Sequence, residues 1–306
     1  KINVLTHNLH SLNQPAHDTT LLETHMKLFA RLVLPLSLLA ALTACGEKKP
    51  EAAAKPADQA AAPAATNSAP NLLDALKAKK VIRIGTEGTY APFTFHDQKN
   101  GNVLTGFDVE IAKEVFKRVG IEKVEFVEGP WDSLIAGIDA DRYDAVVNEV
   151  GINPERQAKY DFSKPYIDSP MVAITKDDNT SIKSLDDLKG KKAAQTLTSN
   201  FGKTATKMGA EIVSADGFAQ TVDLLLSGRA DVTLNDRLSF LDFKKQKPDA
   251  KIKIAATDKE TASSGILVKK GSPELLAAIN KAIDDIKADG TYGKISTQFF
   301  GIDVSK

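Results

Sequence analysis

Reactive side chains are scarce in this chain. Cysteine occurs once, at Cys45, so an intramolecular disulfide is excluded. Histidine occurs five times, but His7, His10, His17 and His25 fall before residue 26 and leave His96 alone in everything that follows. One histidine cannot build a His-cluster zinc site. An excess of charge of one sign is missing as well. The 40 Lys and Arg balance 40 Asp and Glu without a basic block, so there is no electrostatic case for nucleic acid. Long apolar runs are also wanting: Leu32 to Leu42 is too short to hold a bilayer as a stable anchor.

What is there begins with a leader. Residues 1–25 do not start with Met and carry no hydrophobic period, and are expected to be a non-native or untranslated leader. Met26 is the expected start. Lys27 and Arg31 form a basic n-region and Leu32 to Leu42 an h-region, so residues 26–44 read as a signal peptide. The run ends in Leu42-Thr43-Ala44-Cys45, which resembles the lipobox of bacterial lipoproteins. Cys45 is therefore expected to become the acylated first mature residue, anchoring the chain to a membrane. Its thiol is then unavailable as a nucleophile, and with His96 alone a Ser-His-Asp triad is set aside too. Removing residues 1–44 takes three basic and two acidic residues, so the mature chain stays one charge from neutral. Gly46 replaces the Asp that retains many lipoproteins at the inner membrane, which leaves outer-membrane placement open.

From Gly46 to about Pro70 the composition is almost entirely Ala, Pro, Lys, Glu, Ser and Asn. It can bury no core, so residues 45–71 are expected to be a flexible tether. The remaining stretch of about 235 residues suffices for two lobes. Within it Val81 to Gly85, Val124 to Val127, Ala145 to Val147, Lys192 to Gln195 and Val232 to Leu234 read as strands. Helices are expected over Asp108 to Val119 (stopped by Gly120), Trp131 to Ile138, Ser184 to Leu188, Phe218 to Leu226 and Glu274 to Ala288. This alternation predicts an α/β fold with parallel sheets covered by helices. A helix followed by Arg-x-Asp and an apolar strand occurs twice, at Arg142-Tyr143-Asp144 and at Arg229-Ala230-Asp231. The echo is either generic βα grammar or the trace of two similar lobes presenting strand ends to one cleft. The segments after those strands, Asn148 to Arg156 and Asn235 to Arg237, are then the ones that would line it.

At these residues the sequence resembles the polar amino-acid solute-binding proteins of ABC importers, most closely their cystine-binding members. The resemblance rests on Glu87-Gly88-Thr89-Tyr90-Ala91-Pro92-Phe93, Gly106-Phe107-Asp108-Val109-Glu110, Trp131-Asp132-Ser133-Leu134, Pro154-Glu155-Arg156 through Ser163, and Ser184 through Gly190. It covers about residue 72 to the C-terminus. It implies a two-lobed periplasmic-binding-protein fold of type II, with two parallel-rich sheets flanked by helices and a two-segment hinge. Lobe 1 would be 72–166 plus 266–306, lobe 2 would be 171–261, and the hinge would lie at about 166–170 and 261–265. It also implies an amino-acid ligand, an ABC permease in the inner membrane as partner, no cofactor, and action as a monomer.

A zwitterion buried in such a cleft needs both charges paired. Arg156 is expected to grip the α-carboxylate, since its planar fork takes two oxygens; read by position alone it could equally be a solvated helix residue. Asp236 would hold the ammonium on the strength of the resemblance, although its context suits an N-cap of the following helix. Thr198, Ser199 and Asn200, between a strand and a helix, would add a hydroxyl and free amides near the carboxylate, or simply cap the helix. Tyr90 and Trp131 stand where the family places aromatic walls, against a default of core packing. Glu87 and Glu149 sit at strand ends without a basic partner in sequence. Glu87 would meet a polar or positive ligand tail, such as the second ammonium of cystine. Gly151 replaces a Thr common in relatives and is expected to leave room for a longer ligand. A non-catalytic receptor that closes on cystine is thus the leading expectation. The alternatives are a receptor for another polar or basic amino acid, a dehydratase on the same scaffold with Glu149 or Glu87 as general acid, and an adhesion module without small-ligand affinity.

Overall fold

The computed structural model describes residues 71–305. The expected leader, signal peptide, lipidated Cys45 and tether lie outside the described residues, except Asn71, which caps the first helix by accepting from Asp74 N.

The chain opens with α1 (Leu72–Lys79), β1 (Val81–Thr86), β2 (Thr89–Tyr90), β3 (Thr94–Asp97), β4 (Val103–Thr105) and α2 (Phe107–Val119). It continues through β5 (Lys123–Glu128), α3 (Trp131–Leu134), α4 (Ala136–Asp139), β6 (Ala145–Val146), α5 (Pro154–Lys159) and β7 (Tyr160–Phe162). The middle stretch holds β8 (Ile167–Lys176), β9 (Lys192–Gln195), α6 (Asn200–Lys207), β10 (Glu211–Ser214) and α7 (Phe218–Leu226). It then adds β11 (Thr233–Asp236), α8 (Arg237–Gln246) and β12 (Ile252–Ser264). The chain closes with β13 (Leu267–Lys269), α9 (Pro273–Ala288) and α10 (Thr291–Phe300).

The first sheet has five strands in the order β5-β1-β6-β13-β7. Strand β1 runs parallel to β5 and β6, and β13 returns antiparallel between β6 and β7. Ile82 and Ile84 of β1 are fully buried beneath α2, which turns Phe107, Ile111, Ala112, Val115, Phe116 and Val119 inward at helical spacing. Each such side chain contributes about 1.5–3 kcal/mol relative to exposure. Gly120 ends α2 in the left-handed region (φ 91°), where its N–H reaches back to the Phe116 and Lys117 carbonyls. The C-terminal α9 packs on α2 through Leu275, Ile279, Ile283 and Ile286, so the two ends of the chain share one core.

The second sheet is mixed. Parallel β9 and β10 join through a parallel bridge, Ala193 to Val232, to the antiparallel set β11-β8-β12. The antiparallel β8–β12 pairing departs from the parallel order expected from strand–helix alternation. The chain passes between the sheets twice, after β7 and before β13, and the two passages lie side by side. Ile167 pairs with Ser264 and Pro170 with Thr261 in an antiparallel ribbon.

The helix expected over Trp131 to Ile138 is split. The Tyr143 hydroxyl donates to the Leu134 carbonyl, so Ile138 N–H bonds three residues back to Ile135 O (3.2 Å). Gly137 permits this, because any side chain there would collide with the Tyr143 ring and hydroxyl. Ser184 does form a capping box with Asp187, over a short 3₁₀ turn, Leu185–Leu188.

A closed acidic cleft between two sheets

The loops after β1 and β6 meet the N-termini of α6 and α7 and the end of β11 around a cleft with about 380 Å³ of space free of atoms. Glu87, Tyr90, Trp131, Asn148 and Glu149 line one side; Ser199, Asn200, Gly217, Phe218 and Asn235 line the other.

Behind the Trp131 wall, outside the residues that line this space, lies Arg156. Asn153 caps α5 by accepting from Arg156 N (2.9 Å), and Pro154 starts the helix, which fixes where the side chain leaves the backbone. The guanidinium is 6% exposed, lies 5.4 Å from the Trp131 ring centroid and donates from Nη1 to Gly151 O (2.9 Å). Among the described residues no carboxylate forms an ion pair with it. Burial pushes its pKa down to about 10. A buried cation with most of its donors unspent, beside the first-turn amides of α6, is an anion receptor. Ser199 caps α6 by accepting from Gly202 N (3.0 Å), and Asn200 opens the helix on the cleft wall. The Trp131 indole N–H is buried without an acceptor.

The rest of the cleft is acidic. Glu87 is held by Asn148, whose Nδ2 donates to Oε2 (2.6 Å) and whose Oδ1 accepts from Glu87 N (2.8 Å). Burial raises the Glu87 carboxyl to about 7. Glu149 adopts the left-handed region (φ 48°), a conformation that a non-glycine residue keeps only when its surroundings hold it. Its N–H donates to the Asp108 carboxylate and to Tyr166 Oη (3.1 Å), and its carboxyl accepts from the Tyr90 hydroxyl (2.9 Å). Burial, then the charge of Asp236, pushes Glu149 well above the usual carboxylate range. Asp108, fully buried, is raised to about 7 for the same first reason.

Several expected site residues sit elsewhere. Asp236 does not line the cleft. It is 2% exposed, caps α8 by accepting from Leu238 N (2.6 Å), and acts on the cleft through its charge, which raises the Glu149 carboxyl. Thr198 is turned outward: its N–H and Oγ1 both donate to Asp132 Oδ1 (2.8 and 2.9 Å), while Leu197 N donates to Asp132 Oδ2 (3.2 Å). A Cβ at Gly151 would face Arg156 Nη1 and Asn200 Nδ2, each at 3.6 Å, so the glycine lies beside the guanidinium. Asn148 and Asn235, which open the two segments expected after the echoing strands, do line the cleft, whereas Gly217 and Phe218 carried no signal in the sequence. His96 sits on β3, paired with Glu128 (2.9 Å), away from the lining.

The two sides touch. Tyr90 Oη meets Asn235 Oδ1 at 2.9 Å, Asp132 holds Leu197 and Thr198, and Lys203 pairs with Glu155 at 2.6 Å. Each contact joins an element of the first sheet region to one of the second, so the cleft is closed.

Residues 82–302 match the family model of bacterial extracellular solute-binding proteins, family 3. The chain belongs to that family. Membership implies an extracytoplasmic solute-binding protein, and the two-lobed fold agrees. The L-cystine-binding protein TcyA of Bacillus subtilis (strain 168) is 47% identical over 236 residues, 77% of this chain and 87% of its own. The L-cystine solute receptor of Neisseria gonorrhoeae, in an unliganded open conformation, is 46% identical and covers 76% of this chain and 99% of its own, with a TM-score of 0.53. An ancestral arginine-binding protein bound to arginine is only 38% identical, covers 72% and 98%, and reaches a TM-score of 0.67. The less identical but liganded structure superposes better, as it should on a chain whose lobes are closed.

Proposed function

We propose that this protein is an extracytoplasmic lipoprotein, anchored through Cys45, that closes on a small amino acid and delivers it to the permease of an ABC importer. Cystine is the proposed cargo. The observation that carries the reading is Arg156, a buried guanidinium without an acidic partner behind the Trp131 wall of a closed cleft. Burying a cation costs several kcal/mol unless an anion joins it, and a ligand α-carboxylate is such an anion. Asp236 and Glu149 are the acids proposed for the α-ammonium, and Glu87, whose Oε2 is taken by Asn148, keeps Oε1 for a positive group on the tail. Tyr90, Trp131 and Phe218 supply apolar walls suited to a disulfide-bearing linker. The names of the cystine-binding relatives support the cargo.

The proposed lobes are residues 72–166 with 266–306, and 171–261, hinged on the paired passages at about 166–170 and 261–265. Ligand acts by stabilising the state in which both lobes touch it. Titration calorimetry with cystine, arginine, lysine and glutamine tests the reading. Saturable binding with cystine tightest supports it, and absence of binding by every amino acid overturns it.

A further inference from the structure

Gly217 serves neither of the usual ends of a glycine. Its φ of 172° and ψ of 177° are extended backbone that any residue adopts, so no left-handed turn requires it. Nor does its own side of the cleft crowd it. Its chain neighbours aside, a Cβ there would meet one atom within 4 Å, Oε1 of Glu87 at 4.0 Å, which belongs to the opposite side. As the N-cap of α7 it is a second-rate choice too. It has no side chain to accept from the first-turn amides, and Ser, Asp or Asn would hold that helix better. What the missing side chain does provide is space in the cleft.

Both walls of that space are held. Asn148 fixes Glu87 at two points, accepting from its N–H (2.8 Å) and donating to Oε2 (2.6 Å), while Oε1 faces the start of α7. Asn148 is itself tied down, because its Oδ1 also accepts from Thr86 Oγ1 (3.0 Å). Opposite, Phe218 is 8% exposed and packs edge-on against Phe243 of α8, with ring centroids 6.0 Å apart. The Asp216 N–H donates to Gln220 Oε1 (2.5 Å), which secures the turn that leads into the helix. The start of α7 is thus pinned beside Glu87, and an added side chain takes its volume from the ligand. We propose that Gly217 is a specificity-determining residue: its missing side chain keeps open, between α7 and Glu87 Oε1, the room that admits the distal end of a long amino acid such as cystine. The proposal rests on the amino-acid reading and deepens it. Glu87 attracts a positive tail, whereas Gly217 sets how far along the cleft that tail extends. A short amino acid ends before this room and is indifferent to a side chain placed there.

Titration calorimetry on the wild type, Gly217→Ala and Gly217→Thr tests this with two ligands. One is cystine; the other is S-methylcysteine, which keeps one half of cystine with its sulfur but lacks the distal end. Thr caps a helix about as well as Gly does and Ala much worse, yet Thr is the larger side chain. Damage to α7 and loss of room therefore predict opposite orders. The expected result is that cystine weakens about fivefold or more in Gly217→Ala and about tenfold or more in Gly217→Thr. S-methylcysteine should stay within about twofold of wild type in both variants, and Gly217→Thr should melt where the wild type does. Cystine binding that changes by less than about threefold in Gly217→Thr overturns the proposal, as does a larger loss in Gly217→Ala than in Gly217→Thr. So does S-methylcysteine weakening as much as cystine, or a wild type that binds cystine and no S-methylcysteine at all. The amino-acid reading fails separately, if the wild type binds neither of these nor any other amino acid.

Discussion

Replacing Asp132 with Ala removes contacts made outside the residues that line the cleft. Asp132 opens α3 beside the cleft and takes three hydrogen bonds from the other lobe: Leu197 N at 3.2 Å, Thr198 N at 2.8 Å and Thr198 Oγ1 at 2.9 Å. Hydrogen bonds to a charged group are worth about 1.5–3 kcal/mol each when sheltered. These are exposed and compete with water, so together about 1–2 kcal/mol is the reasonable figure. Because the contacts exist only in the closed form, their loss weakens the liganded state by that amount. The dissociation constant should rise about 5- to 30-fold, mostly through faster release. The distinguishing feature is uniformity. A latch outside the cavity acts on the closing equilibrium, so cystine, arginine and glutamine should all weaken by the same factor and keep their order. Calorimetry with the three ligands and stopped-flow release read through Trp131 check this. Unchanged affinities, or ratios between ligands that move by more than about threefold, would refute the latch as an element of closure.

Arg156→Lys should weaken every amino acid by at least about tenfold in calorimetry, because a point charge replaces a two-toothed grip, and by more than Glu87→Gln does. Glu87→Gln should cost a ligand with a positive tail about 1.5–3 kcal/mol and leave glutamine nearly unchanged; a larger loss at Glu87 than at Arg156 would mean the carboxylate grip is misplaced. Cys45→Ser should leave binding intact and release the protein from the membrane fraction, and unchanged retention would rule out the lipid anchor.

Much of the fold was legible because its core elements obey simple periods. Phe218 to Leu226 is helical over the residues read from the sequence, and α2 shows its buried face at helical spacing before Gly120 stops it. The β8–β12 ribbon was not legible. β12 is largely polar and half-exposed along its length and bulged twice, between Ile254 and Ala256 and between Thr257 and Thr261, so it has no apolar alternation to find. β8 carries Pro170, which argues against a strand unless the partner's pattern is known. In the site, Arg156, Tyr90, Trp131, Glu87, Glu149, Ser199 and Asn200 are brought together. Asp132 was quoted only as part of a motif, since a lone Asp at a helix start reads as a first-turn acid. Asp236 illustrates the limit from the other side: sequence offered either a cap or an ammonium partner, and the fold shows it capping α8. Long-range partners such as Tyr90 with Asn235, 145 residues apart, carry no local signal at all.

The central claim is that this cleft closes on a cystine molecule held at its α-carboxylate by Arg156. Competition calorimetry at neutral pH, with cystine titrated against arginine, lysine, glutamine and cysteine, tests it most directly. Saturable one-to-one binding of cystine is expected, tighter than that of every competitor and weakened more than tenfold in Arg156→Lys. Tighter binding of arginine or lysine than of cystine would contradict the cargo, and cystine binding that is indifferent to Arg156→Lys would contradict the site.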